Sequence, residues 1–339
     1  MSAPPLVILD ADVLGRRRTG DETHVQNLLR RLPEAAGDSL RLAAVTRHPE
    51  LVPDGVEAIE LPARSQELRM AWTLPRLLQR LQPALAHFQH SLPSRCPSPA
   101  VLTVHDLSFE RDAQMMGRID RIVFRTVVPR SARRAARVLA VSERTRRDLV
   151  GLYGIPEDKI VVTPNAVDPA FSPGGANGGY LLFVGAIQER KNPLAAADAA
   201  RAVGLPLVVA GPEKDARLAR ELERRGADLR GYVDKAQLAD LYRGAACLVL
   251  PSRFEGFGLP VLEAMACGTP VVATNDPAMR EVGGDAAVYA QPAELADAIR
   301  KALAERDERV RAGLERVRHF SWDETARRTV AVYREVLGL

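Results

Sequence analysis

The sequence predicts an α/β protein made of two doubly wound, parallel-sheet halves joined by a linker. Three observations carry that expectation. Short apolar strands alternate with helical patterns along the chain, the arrangement that builds parallel sheets. A stretch at 169–179 holds two prolines and four glycines and little that packs, and a fresh α/β series starts after it. The chain has 339 residues, too many for one ordinary core and suited to two of middling size.

In the first half, strands are expected at 6–10, 42–46, 84–88, 101–104 and 138–141. Between them, 24–32 places Val25, Leu28, Leu29 and Leu32 at helical spacing. Ser142 followed by Glu143 reads as an N-cap opening another helix. In the second half, strands are expected at 180–184, 207–210, 246–250 and 271–273. Helices are expected at 193–203, 215–225, 236–243 and 260–266, and the tail from Pro292 reads as helical. The domain boundaries that follow are 1–168, a linker 169–179, a second domain 180–320, and a final helix 321–339. Open α/β sheets bind ligands at the carboxyl ends of their strands, so two such halves are expected to face a cleft.

Composition narrows the class. An apolar fraction of 46% and a charged fraction of 27% are those of a soluble globular protein. The chain holds no run of 18 apolar residues, and its start goes directly into Leu6-Val-Ile-Leu9, a strand and not a signal peptide. Three cysteines without a Cys-x-x-Cys pair argue against a disulfide framework or a zinc site and for a reducing cytoplasm. Net charge is +4, and arginines crowd 111–147. Such a face would attract phosphate or anionic lipid, or be simply a solvated helix face. The pattern 67–81, with Met70, Trp72, Leu74, Leu77, Leu78 and Leu81, would lie on a membrane or, more simply, pack on the first sheet.

The most informative stretch runs from Pro251 to Pro270. It begins at a strand end, turns through Gly256 and Gly258, and enters a helix at Pro260, where proline's missing N–H costs nothing. A glycine turn feeding a helix N-terminus suits a diphosphate. Glu255 and Glu263 bracket it, and carboxylates accept hydrogen bonds from the hydroxyl pairs of sugars and riboses. For Glu263 the helix dipole is an alternative reason.

This block, with seven residues between Glu255 and Glu263, resembles the signature of the retaining GT-B glycosyltransferases of the group 1, family 4 type. The resemblance extends along the chain. Gly185 to Asn192, ending Arg190-Lys191-Asn192, is similar to that family's phosphate loop. Pro164-Asn165-Ala166-Val167-Asp168 resembles its Pro-Asn-Gly-Val-Asp segment, with alanine for glycine at 166. Val104-His105-Asp106-Leu107 resembles its first-domain strand end, and Thr19-Gly20-Asp21-Glu22-Thr23 its glycine loop after strand one.

The resemblance implies two Rossmann-like domains, with the last helix packing back on the first. It implies a donor site of Gly185, Arg190, Lys191, Glu255, Gly256, Phe257, Gly258, Leu259 and Glu263. Lys191 would neutralise the leaving diphosphate, Glu263 hold the ribose, and Glu255 contact the donor sugar. His105 would lie near the reacting sugar, and Gly20, Asp21, Thr23 and Asp106 near the acceptor. Ala186 stands where many members carry an arginine, which leaves open whether Arg190 replaces it. The implied reaction is retaining and metal-free, with no cofactor beyond the nucleotide-sugar co-substrate. GDP-mannose is the preferred donor, a glycan or lipid-linked compound the acceptor, and polysaccharide biosynthesis the setting. The protein is expected in the cytoplasm or at the inner face of the membrane, through basic helices of the first domain, with no nucleic-acid partner.

Other readings stand beside this one. Asp10-Ala11-Asp12 is a pattern that elsewhere holds a metal and a nucleotide, but two residues recur by chance, and no metal site is expected. His87 and His90 follow a strand end; an acceptor contact is conceivable and a structural role is the plainer reading. His24 reads as local. A catalytically silent nucleotide-sugar-binding protein and a nucleotide-sugar epimerase are the alternatives in function. A nicotinamide dehydrogenase is disfavoured, because no Gly-x-Gly-x-x-Gly follows strand one.

Overall fold

The computed structural model describes residues 3–16, 19–63, 65–111, 118–175 and 179–339. Part of the arginine-rich stretch, 112–117, and part of the expected linker, 176–178, lie outside the described residues.

Two parallel sheets organise the chain. The first consists of β1 (Leu6–Asp10), β2 (Arg41–Thr46), β3 (Glu57–Glu60), β4 (Leu85–Gln89), β5 (Ala100–Val104), β6 (Arg137–Ala140) and β7 (Ile160–Val162), in the order β3-β2-β1-β4-β5-β6-β7. The second consists of β8 (Leu181–Val184), β9 (Leu207–Ala210), β10 (Asp228–Gly231), β11 (Cys247–Leu250), β12 (Val271–Ala273) and β13 (Val288–Tyr289), in the order β10-β9-β8-β11-β12-β13. Every registered pair is parallel. Both sheets follow the doubly wound order, which reverses between β1 and β4 and again between β8 and β11.

All nine expected strands form, within a residue or so. The four that were not expected are β3, β7, β10 and β13, the two edges of each sheet. An inner parallel strand is covered on both faces and needs a continuous apolar run. An edge strand such as Glu57-Ala-Ile-Glu60, largely exposed, does not.

Contacts divide the chain into two compact units. The first comprises 3–107, 118–165 and 321–339; the second is built on 166–320 with the short helix Ser108–Arg111. Residues 166–168, expected in the first domain, thus belong to the second unit.

In the first unit, the helix Thr19–Ala36 buries Val25, Leu28, Leu29 and Leu32 in the core beside β1 and β2. Each such side chain contributes about 1.5–3 kcal/mol. The final helix, Trp322–Leu337, is capped by Ser321 and adds Ala326, Val330 and Tyr333 to that same core. It packs back on the first sheet's unit, as expected. His87 is fully buried there, bonded to the Tyr333 hydroxyl at 2.6 Å and to Thr103 Oγ1 at 2.7 Å, so its role is structural. The stretch 67–81 is divided into a turn at Gln66–Leu68, a π turn at Arg69–Thr73 and a helix at Leu74–Leu81. Leu74, Leu77 and Leu78 are buried, but Leu68 and Trp72 are exposed and pack on no core.

In the second unit, the helices Pro193–Val203, Ala216–Arg224 and Leu295–Ala304 cover one core against β8, β9 and β11. The expected linker is not loose where it is described. Phe171 is buried with its ring 5.8 Å from that of Tyr242, and Arg243 donates to the Ala170 and Ser172 carbonyls.

Candidate functional site

Two groups of polar side chains collect at strand carboxyl ends, one in each unit. In the second unit, β8 runs into the loop Gly185–Asn192 and β11 into Pro251–Gly258. Gly258 sits at φ +107°, a conformation that favours glycine, and caps the helix Leu259–Ala266. Gly211, after β9, lies against the same loop: a Cβ there would sit 2.1 Å from the Gly185 carbonyl oxygen. Only glycine fits, a requirement that sequence reasoning did not register; the Gly211-Pro212 turn signal was its one trace.

Lys191 Nζ donates to both oxygens of Glu255, at 2.6 and 2.8 Å. The pair is largely buried, at 12% and 11% side-chain exposure, so water screens it poorly. Burial alone would raise the Glu255 carboxyl; the Lys191 ammonium and the Arg190 guanidinium outweigh it and hold the carboxyl below its usual range. Arg190 also donates to the Phe254 carbonyl and so braces the glycine turn from beneath. Phe257 is buried with its ring 5.9 Å from that of Phe320. Glu263 is buried one helical turn on, and its Oε2 accepts from the Tyr242 hydroxyl at 2.8 Å. Burial pushes its carboxyl up to about 7, against the opposing pull of Tyr242 and Lys235. Tyr242 carried no signal in the sequence.

In the first unit, His105 directly follows the end of β5 and is buried, with Nε2 2.8 Å from Gln89 Oε1 at the end of β4. Asp21 reaches toward it from the first turn of the helix Thr19–Ala36, with Oδ1 3.7 Å from His105 Nδ1 and Oδ2 3.5 Å from His90 Nε2. The stretch expected as a glycine loop is helical from Thr19, so Gly20 and Asp21 stand in the first turn, where the dipole favours the Asp21 charge, and Thr23 just beyond it. Asp106 follows His105 and is partly exposed. Burial drives the His105 imidazole well below its ordinary value, so the ring is neutral.

His24 is not merely local. Its ring lies 4.8 Å from that of His105, and its Nδ1 meets Asn165 Oδ1 at 2.7 Å across 141 residues of sequence. Gln89 carried no signal in the sequence, His24 reads there as local and Asn165 only as part of the segment 164–168, because each gains its meaning from a distant partner.

Asp10 and Asp12 are each taken by arginine. Arg69, fully buried, forks onto Asp10 at 2.7 and 3.0 Å, and Arg47 forks onto Asp12 at 2.8 and 3.1 Å. Outside glycine, positive φ among the described residues is confined to Gln82, His90 and Asn192, so Ala166 carries no such strain.

Residues 172–315 match the family model of the group 1 glycosyl transferases, and 18–171 that of glycosyltransferase family 4. The O-antigen chain mannosyltransferase B of Escherichia coli is 31% identical over 268 residues, 69% of this chain and 70% of that protein. This chain belongs to the group 1 glycosyltransferases. The D-inositol 3-phosphate glycosyltransferase of Acidothermus cellulolyticus is 32% identical over 71% of the chain, which spans 62% of that protein's length. Among solved structures, sucrose-phosphate synthase from Thermosynechococcus elongatus superposes with a TM-score of 0.80 over 99% of both chains at 20% identity, which shows the shared GT-B fold. In this glycosyltransferase, the second-unit residues named from the sequence do come together: Arg190 and Lys191 meet Glu255 at the glycine turn, and Glu263 follows in the helix it opens. In the first unit His105 and Asp21 come together, while Thr23 offers its carbonyl to Asn27 within the helix. Among the described residues, no helix is long and apolar enough to cross a membrane.

Proposed function

We propose that this glycosyltransferase moves a hexose, best matched by mannose from GDP-mannose, to a glycan or lipid-linked acceptor, with retention of configuration and without a metal or cofactor. The observation that carries this reading is the Lys191–Glu255 pair at the mouth of the glycine turn. With a donor bound, Glu255 would accept from sugar hydroxyls and free Lys191 for the diphosphate. The charge that develops as the anomeric bond breaks would then meet a preplaced ammonium and the amides opening the helix Leu259–Ala266. Glu263 would accept from the ribose hydroxyls. The backbone of Gly185 and of Gly256 to Leu259 would line the donor. His105 would lie near the reacting sugar, with Gly20, Asp21, Thr23 and Asp106 toward the acceptor.

Mannose is supported by the name of the Escherichia coli relative, and a glycan or polysaccharide acceptor by the same name. A lipid-linked acceptor is supported by the helix Arg118–Arg134, which exposes Ile122, Val123 and Phe124 beside Arg125, a mixture suited to an anionic bilayer surface.

A thermal-shift panel of GDP-, UDP-, ADP- and TDP-sugars tests the donor. A ligand at 100 times its Kd stabilises the folded state by about 2.7 kcal/mol, so GDP-mannose should raise Tm most. Anomeric NMR of the product then reads the stereochemistry. An inverted product rules out retention, an altered nucleotide sugar without acceptor points to an epimerase, and binding without turnover points to a silent protein.

A further inference from the structure

The first-unit cluster has a chemistry that sugar transfer does not require. Asp21, His90 and His105 each offer one ligand atom, and these atoms lie within 4.8 Å of one another. His105 Nε2 donates to Gln89 Oε1 at 2.8 Å, which fixes the tautomer and leaves the Nδ1 lone pair. That lone pair faces Asp21 Oδ1 at 3.7 Å, so two acceptors oppose each other. Beside them His24 repeats the pattern. Its Nδ1 donates to Asn165 Oδ1, and its Nε2, buried, has no hydrogen-bond partner among the described residues. Electron-rich atoms converging in this way are matched by a cation.

We infer that Asp21, His90 and His105 form a binding site for a borderline-soft divalent cation of the Zn²⁺ or Co²⁺ type. Two imidazoles and one carboxylate select such ions over Mg²⁺, which prefers oxygen alone. Zinc bonds of about 2.0–2.1 Å at tetrahedral angles put ligand atoms about 3.3 Å apart. The two Asp21 oxygens already lie near that spacing, Oδ2 at 3.5 Å from His90 Nε2 and Oδ1 at 3.7 Å from His105 Nδ1, and the whole set, within 4.8 Å, must draw in around the ion. Gln89 supplies the outer hydrogen bond that orients a ligating imidazole. His90 and Asp21 are 23% and 32% exposed, so the ion has an entry path and an open coordination position. Where these residues hold the acceptor, as proposed above, the bound cation blocks transfer and does not assist it. The binding itself does not depend on that reading.

The test uses the untagged full chain, stripped with chelator and dialysed against Co²⁺, Zn²⁺ or Mg²⁺. A single Co²⁺ should bind, show the intense visible bands of tetrahedral nitrogen and oxygen ligation, and be displaced by Zn²⁺ but not by Mg²⁺. Asp21→Asn and His90→Asn should lose it. Asparagine tolerates the left-handed φ of +58° at position 90. Gln89→Ala should weaken it about 10–100-fold. Should a variant fail to fold, histidine acylation of the wild-type chain decides: Zn²⁺ should protect His90 and His105 together. No uptake, equal uptake of Mg²⁺, full uptake by both folded variants, or no protection overturns the site. Inhibition of transfer is measured separately, so a failed donor assignment leaves the binding result readable.

Discussion

Lys191 Nζ spans both oxygens of Glu255, at 2.6 and 2.8 Å, joining the loop after β8 to the loop after β11. The two residues are 64 apart in sequence, and neither has its charge well solvated. Each therefore depends on the other until a ligand with its own charge and hydroxyls takes over.

Lys191→Ala should lower turnover by about 10²–10³, the usual effect of losing one preplaced charge-stabilising donor. It should also lower Tm, because it leaves the buried Glu255 with the more distant Arg190 guanidinium, at 3.6 Å, in place of its direct ammonium partner. The double variant Lys191→Ala/Glu255→Gln should recover much of the Tm and none of the activity. Steady-state kinetics with thermal melts on both proteins check this; near-normal turnover in the single variant would remove Lys191 from its role.

Glu263 sets a pH dependence. Its folded carboxyl lies at about 7, above the ordinary 4.5, so the folded state holds the proton more tightly than the unfolded chain. Its contribution is thus complete below about pH 4.5 and lost as pH rises through 7, to the extent of about 3 kcal/mol. Glu263→Gln should flatten that decline in urea titrations between about pH 5 and 8. If the ionised form accepts from the donor's ribose, donor affinity in the wild type should rise across the same window and stay level in the variant.

Arg69→Ala should destabilise the first unit by about 3–5 kcal/mol, since Asp10 would keep a buried charge without its fork. Chemical denaturation with and without Mg²⁺ measures it. Restoration of stability by Mg²⁺ would show that Asp10 and Asp12 accept a metal once the arginine is gone.

His87→Leu should cost about 1–3 kcal/mol by leaving the Tyr333 and Thr103 hydroxyls unpaired in the core. Its KM and kcat should hold at temperatures where the variant remains folded. A selective change in KM for acceptor would instead place His87 at the site.

The inner strands, the helices with apolar stripes and the glycine turn between Glu255 and Glu263 were legible in the order of residues alone. These are local matters: a strand covered on both faces must be apolar throughout, and a tight turn must contain glycine. Tertiary structure alone decided the rest. β3, β7, β10 and β13 exist because a neighbour offers hydrogen bonds along one side: β3 and β10 are largely exposed edges that ask little of their own residues, and β7 and β13, of three and two residues, are too short to show a pattern. Asp10-Ala11-Asp12 resembled a metal motif until Arg69 and Arg47, far along the chain, folded onto it. His24 looked local until Asn165 and His105 arrived beside it. Pattern reports the surroundings a residue needs; charge pairing and tautomer depend on which partner the fold supplies.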